Sequence, residues 1–278
     1  MIVIADSGAT KTQWRVFGKG RELSKFETIG LSPYFCTHDV YIKVLTTSFP
    51  LNPLDVHNVY FYSAGCGAAE KAELALGALG EYFSRSSVEV RSDILGAARA
   101  LFGRGQGIAM ILGTGTNIAY YDGTNVRHYS PSLGYVLGDE GSGAYLGKEF
   151  VRRWLYNEFP AELSAKIEKE LKITTPEILQ RVYSEPFPGR FLASFVPFMA
   201  SNTAHPAIAI IIRESFHNLA ARHLKKYPMF PNVPLGVVGS IGVVFQSLLV
   251  DVLAEFGGSV QRFEQYPIDK LLEYHTLP

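Results

Sequence analysis

With 278 residues, 47% hydrophobic and 19% charged, the chain has the composition of a folded globular protein with room for one large or two medium domains, which excludes disorder. Lysine plus arginine equal aspartate plus glutamate at 26 each, so no overall field favours nucleic acid or an anionic membrane, and neither partner is expected. The most apolar run, Ala207 to Ile212, falls well short of the roughly 18 residues of a membrane span. Cys36 and Cys66 form no C-x-x-C pair, and the N-terminus lacks the basic region and long apolar core of a signal peptide, so a cytoplasmic location is expected.

In chain order, Ile2 to Ala5 reads as a central strand covered on both faces, and Asp6 sits where that strand meets solvent. Ser7 and Gly8 turn the chain; Gln13 to Phe17 and Glu22 to Ile29 are the next strands, closed by Gly30. Asp39 to Phe49 has helical spacing, Val56 to Ser63 runs as a strand into Ala64-Gly65-Cys66-Gly67, and Ala72, Leu76, Leu79 and Phe83 mark a second helix. Val88 to Val90 is a strand, and a third helix, Ile94 to Phe102, begins behind Asp93. The order is βββαβαβα. From Gly107 it starts again: Ile108 to Leu112, a turn at Gly113 to Asn117, Ile118 to Tyr121, and Val126 to Tyr129.

Ser142 is placed as the hydroxyl N-cap of a helix carrying Leu146, Phe150 and Trp154. Residues 157–205 interrupt the repeat as a helical insertion, with Leu163, Ile167 and Leu171 on one stripe, Thr175 as a cap before Pro176, and Phe191, Phe195 and Phe198 on another. A long helix follows from Pro206 to about Lys226, then a strand at Leu235 to Val238. Val244, Leu248 and Val252 mark a helix stopped at Gly257-Gly258, and a strand at Ser259 to Phe263 and a helix at Ile268 to Tyr274 end the reading. The expected fold is α/β, a duplication with an N-terminal domain at 1–106 and a C-terminal domain at 107–278, the last helix free to pack back on the first domain.

Four strand ends carry the chemistry. Past Gly8, Thr10, Lys11 and Thr12 set two hydroxyls and an ammonium beside free backbone N–H groups, a combination that suits a polyphosphate with its Mg²⁺. Asp93 stands at a strand-to-helix step, where a carboxylate serves as a helix cap, as a general base for phosphoryl transfer, or as both. Gly113-Thr114-Gly115-Thr116-Asn117 offers glycines that let backbone approach phosphate and hydroxyls to bond it. Gly138-Asp139-Glu140-Gly141-Ser142-Gly143 places two acids between glycines ahead of a helix. None of these fits a Walker P-loop, the spacing of Gly236, Gly239 and Gly242 is not a Rossmann fingerprint, and the seven histidines show no zinc spacing.

Taken together, D-S-G-A-T-K-T at 6–12, S-D at 92–93, G-T-G-T-N at 113–117, G-D-E-G-S at 138–142 and V-G-S-I at 238–241 resemble, in order, the motifs of the sugar-kinase, actin and heat-shock-chaperone ATPase superfamily. Within it the chain most resembles the N-acetylglucosamine kinase branch of the BadF/BadG/BcrA/BcrD-type ATPases. The resemblance implies two duplicated ribonuclease H-like (actin-like ATPase) domains with a helical insertion in the second. It also implies ATP and Mg²⁺ as cofactors, the metal held through water by Asp6. By the same likeness Gly8, Thr10, Lys11 and Thr12 face the β- and γ-phosphates, Gly113, Thr114, Gly115 and Thr116 close on the transferred phosphoryl, and Gly239 and Ser240 border the adenosine. Asp93 is the implied base, and Asn117, Asp139, Ser32 and Gly65 are the implied sugar contacts. Where the family's sugar loop carries an asparagine, this chain has Pro33-Tyr34.

The reading is an ATP-dependent kinase acting on a primary hydroxyl of an amino sugar, most closely N-acetylglucosamine to its 6-phosphate, with a glucosamine kinase or an ATPase activator of a 2-hydroxyacyl-CoA dehydratase-type enzyme as alternatives. The activators hold an iron–sulfur cluster through two cysteines per subunit. Cys36 and Cys66 sit instead in turns that accept cysteine as a small apolar residue. The insertion, rich in apolar stripes, is expected to pack on the second domain and lend a surface to a homodimer.

Overall fold

The computed structural model describes residues 1–8 and 10–276. The chain divides into two compact units, one made of Met1–Gln106, Tyr121–Val126 and the segment that starts at Tyr266, the other of Gly107–Tyr120 and Arg127–Gln265. In order, the elements to residue 127 are β1 (Ile2–Ser7), β2 (Lys11–Gly18), β3 (Arg21–Ile29), α1 (His38–Ser48), β4 (Asn58–Ser63), α2 (Ala69–Tyr82), β5 (Ser87–Ser92), α3 (Asp93–Phe102), β6 (Gly107–Leu112), β7 (Thr116–Tyr121) and β8 (Val126–Arg127). Then follow α4 (Gly134–Leu137), α5 (Gly143–Leu155), α6 (Ala161–Leu171), α7 (Thr175–Tyr183), α8 (Pro188–Ala193), α9 (Val196–Ser201), α10 (Pro206–Arg222), β9 (Leu235–Val238), α11 (Ser240–Val244), α12 (Gln246–Glu255), β10 (Val260–Glu264) and α13 (Ile268–Thr276).

The first unit is a mixed sheet ordered β3-β2-β1-β4-β5. Its central strand β1 pairs antiparallel with β2, setting Ala5 opposite Trp14 and Asp6 opposite Gln13, and parallel with β4. Alternation sends Val3, Ala5, Trp14, Val16 and Phe61 to a core that includes Tyr41 and Leu45 of α1 and Leu79 of α2. The other face carries Ile4 and Tyr62 against Ala100 of α3 and Ile268 and Leu271 of α13. Asp6, two residues on from Ile4, shares that second face.

The second sheet is ordered β10-β9-β6-β7-β8, which read from its β8 edge repeats the first sheet strand for strand. The doubled α/β plan expected from the motif order is therefore present. Its core gathers Met110, Leu112, Leu146, Phe150, Trp154, Ile208, Ile212, Phe216, Val237 and Leu253. Leu163, Ile167, Phe191, Phe195 and Phe198 of the insertion join the same core, so the insertion has no separate one.

Local boundaries depart from expectation at several points. Thr174, not Thr175, caps α7: its hydroxyl and the Glu177 carboxylate close a reciprocal capping box, and Pro176 stands one position further in. The phenylalanine stripe spans two short helices because Pro197 cannot continue the α8 hydrogen-bond ladder and opens α9 instead. The helix drawn through Val244, Leu248 and Val252 is broken at Phe245 into α11 and α12, leaving Val244 51% exposed while Leu249, Val252 and Leu253 turn inward. Thr116 and Asn117 belong to β7 and not to the turn before it.

Candidate functional site

In the first unit the turn between β1 and β2 is closed by Gly8 N donating to Lys11 O at 3.0 Å, with Gly8 and Thr10 exposed. Ser7 and Thr12 are fully buried and their hydroxyls are 2.8 Å apart. Both accept from Leu31 N, at 2.9 and 3.1 Å, and Thr12 donates to Ile29 O. The Thr12 hydroxyl is thus an internal strut binding the turn to the Gly30–Ser32 loop, and it is the Thr10 and Lys11 side chains that stay on the outside of the turn. Ser32 Oγ in turn donates to Ala64 O at 2.9 Å, and the Tyr41 hydroxyl to Leu31 O at 2.6 Å. Gly65 lies under the Tyr34 ring, whose Cδ2 would be 2.6 Å from a β-carbon there. Ser32 and Gly65 are consequently brought together, beside Tyr34.

Lys11 Nζ lies 2.8 Å from Glu27 Oε1 and 4.4 Å from the centre of the Tyr266 ring, and the hydrogen bond to Glu27 leads in holding its pKa above the usual lysine value. Asp6 is half-buried, and its desolvation there, with the charge of Asp93 adding to it and Lys11 offsetting part, pushes its pKa up to about 7. Ser92 occupies the N-cap of α3, so Asp93 is the first helical residue, and its Oδ1 accepts from Ile94 N at 2.8 Å. Two carboxylates that feel each other thus stand at the ends of β1 and β5, on either side of β4, with one lysine near. Cys36 and Cys66 are buried free thiols. Desolvation raises the pKa of both, that of Cys66 to about 11, which keeps them protonated and poor ligands or nucleophiles.

In the second unit the Gly113–Thr116 turn is held by the start of α5: Gly143 N donates to Gly113 O at 2.8 Å and Ala144 N to Thr114 O at 3.1 Å. Gly239 comes against the same turn. Its φ is +116°, and a β-carbon would lie 2.3 Å from Leu112 O, so no other residue lets the β9–α11 step approach β6 so closely. Ser240, the first residue of α11, is exposed. Thr116 Oγ1 donates to Glu140 O at 2.8 Å and Asp139 O at 3.3 Å, which ties the acidic loop to β7. Asp139 has a left-handed backbone, φ +61°, and its carboxylate lies over Gly115. Burial leads in raising its pKa, with the neighbouring Glu140 charge adding to it. Asn117, Ser130, Asp139 and His223 line a cavity of about 10 Å³, the size of one water molecule.

Sequence reasoning named Asp139 and passed over the acid beside it. Glu140 is 3% exposed, with Arg222 on one oxygen at 2.7 Å and His223 Nε2 on the other at 3.0 Å, while His223 Nδ1 meets Ser130 Oγ at 2.9 Å. Burial works to raise the Glu140 pKa, but the bonds from His223 and Arg222 outweigh it and hold it low. The G-D-E-G pattern marked the loop, but nothing local marked partners more than eighty residues later.

No family model and no curated sequence matches the chain. Among solved structures, that of a putative N-acetylglucosamine kinase from Porphyromonas gingivalis is 36% identical, over 99% of this chain and 98% of its own, with a TM-score of 0.94. A putative N-acetylglucosamine kinase from Chromobacterium violaceum (17% identical, TM-score 0.71, 98% of each chain) shares the fold. So does a ROK-family glucokinase from Streptomyces griseus, determined with glucose and AMPPNP (16%, TM-score 0.56, 98% of this chain and 97% of its own). The paired sheets and their motif-bearing turns define an actin-like ATPase fold. The chain belongs to the sugar-kinase family represented by the Porphyromonas gingivalis structure.

Proposed function

We propose that the protein transfers the γ-phosphoryl group of ATP to the primary hydroxyl of an amino sugar, with N-acetylglucosamine the favoured acceptor, and that it falls in the BadF/BadG/BcrA/BcrD-type branch of its family. The observation that carries the reading is the Asp6–Asp93 pair: a carboxylate at one strand end whose ionisation is disfavoured by desolvation and by the charge of a second carboxylate, which opens α3. Asp93 takes the proton from the attacking hydroxyl, the sugar oxygen bonds to the γ-phosphorus, and the bond to the leaving ADP oxygen breaks.

The donor chemistry around Asp6 fits a hard, hydrated cation, because a partly desolvated anion beside a like charge gains most from one. A Mg²⁺ held there would neutralise phosphate charge. Thr10, Lys11 and the exposed backbone of Gly8 face the terminal phosphates, for which Lys11 leaves Glu27. In the second unit the Gly113–Thr116 turn faces the transferred group, Gly239 and Ser240 border the nucleoside, and Asn117 and Asp139 bond ring hydroxyls or the acetamido group. Ser32 and Gly65 complete the sugar contacts. Tyr34, over Gly65, stands near where the family asparagine is absent.

The deciding experiment is a coupled assay of ADP release over N-acetylglucosamine, glucosamine, glucose and no sugar. Release that depends on N-acetylglucosamine supports the proposal, a preference for glucosamine reassigns the acceptor, and sugar-independent release overturns it. We place the protein in the cytoplasm as a homodimer whose interface draws on α6 to α9. Sedimentation showing only a 30.7 kDa species at micromolar concentration overturns the dimer.

A further inference from the structure

Gln13 is 7% exposed and is the direct cross-strand partner of Asp6, so the two side chains leave the sheet on the same face. Its Nε2 donates to Glu27 Oε1 at 2.8 Å, the same oxygen that receives Lys11 Nζ. The other half of the amide, Oε1, is buried and accepts no hydrogen bond among the described residues. The amide cannot be turned over to cure this, because Oε1 against the Glu27 carboxylate would set two acceptors together. Glu27 therefore fixes which end of the amide faces inward. A buried carbonyl without a donor costs stability, and an apolar side chain of the same length would avoid the cost.

We infer that Gln13 is a positioning residue for a divalent cation beside Asp6, its amide oxygen accepting a hydrogen bond from water that the cation carries. The inference rests on the kinase reading above. Small divalent cations keep several waters and take only one or two protein carboxylates, so their outward-pointing water protons need acceptors. Asp6 and Asp93 already repel each other, and a third acid would worsen this. A neutral amide accepts without adding charge.

The test is calorimetric binding of ADP to the full chain, with Mg²⁺ and with EDTA, for the wild type, Gln13→Met and Gln13→Asn. Gln13→Met should reduce the Mg²⁺-dependent gain in ADP affinity about five- to tenfold, leave ADP binding in EDTA unchanged, and melt no lower than the wild type. Gln13→Asn keeps a neutral amide acceptor and should recover part of the gain. A Gln13→Met protein with the full Mg²⁺ gain overturns the inference. So does one weakened equally in Mg²⁺ and in EDTA, or one that melts lower, since both mark a structural role. If Gln13→Met does not fold, a folded Gln13→Asn protein with none of the gain overturns it. A wild type with no Mg²⁺-dependent nucleotide binding instead overturns the kinase reading itself.

Discussion

Asp139 rests its carboxylate on Gly115: a β-carbon at Gly115 would stand 2.9 Å from Asp139 Oδ2. The backbone of Gly115 does not need glycine's conformations, so Gly115→Ala is a test of space alone. The added methyl displaces the carboxylate from the face of the turn. With Asp139 bonding the sugar, KM for the sugar should rise about tenfold or more, the worth of one charged hydrogen bond. KM for ATP should change less. Steady-state kinetics with each substrate varied in turn checks this, and an unchanged sugar KM would remove Asp139 from the sugar site.

Asp93→Asn keeps the shape of the residue and an oxygen for the Ile94 N–H but removes the proton acceptor. General-base assistance is worth about 10² to 10⁴ in rate, so kcat should fall by that order while nucleotide Kd and melting temperature stay close to wild type. A variant with more than about a tenth of wild-type kcat leaves Asp93 as a helix-end residue and nothing more.

Gly239→Ala meets two obstacles at once, a φ of +116° and a carbonyl 2.3 Å from the new carbon, whereas Gly113→Ala meets open space. The first substitution should cost about 3 kcal/mol or more and the second less than about 1 kcal/mol. Chemical unfolding followed by Trp154, which lies in the core of the same unit, separates the two. Equal losses would mean that the β9–α11 step relaxes away from β6 at little cost.

His275 is half-buried in the first unit, stacked on Tyr60 at 3.7 Å and bonded to the Tyr62 hydroxyl at 2.7 Å. Burial, helped by the Arg99 charge and opposed by Glu89, pushes its pKa down to about 4. Unfolded, the ring titrates near 6.5, so between those values the unfolded chain binds more protons and acid favours unfolding. The contribution is complete above pH 6.5 and is lost as pH falls towards 4, about 1–2 kcal/mol once residual exposure is allowed for. Urea melts followed by Trp14 in a Trp154→Phe background should show this slope, and His275→Gln should flatten it. A slope unchanged in His275→Gln assigns the acid sensitivity elsewhere.

What could be read from sequence was what is written locally. The apolar run of β1, the glycine-rich turns and their order identified the doubled sheet and set Asp6 and Asp93 at strand ends and Asp139 in the loop ahead of a helix. Thr174 was legible too, since T-x-x-E is the capping-box signature, but the neighbouring Pro176 drew the cap one residue late. Register was not legible. That Gln13 faces Asp6 follows from the tight turn of the β1–β2 hairpin, and the amide's orientation comes from Glu27, on the far strand. Glu140 reads as one more surface acid until α10 delivers Arg222 and His223 to it. The Thr12 hydroxyl reads as a ligand until the Leu31 amide is seen to use it.

The first unit takes its last piece, α13, from beyond the whole of the second. During synthesis, β1 to α3 leave the ribosome with Ile4, Tyr62 and Ala100 uncovered on one face of the sheet, and Ile268 and Leu271 arrive only after the 153 residues of the second unit have been made. The half that is translated first is therefore the half that finishes folding last, and in the interval its bare face is the part of the nascent chain most in need of a chaperone.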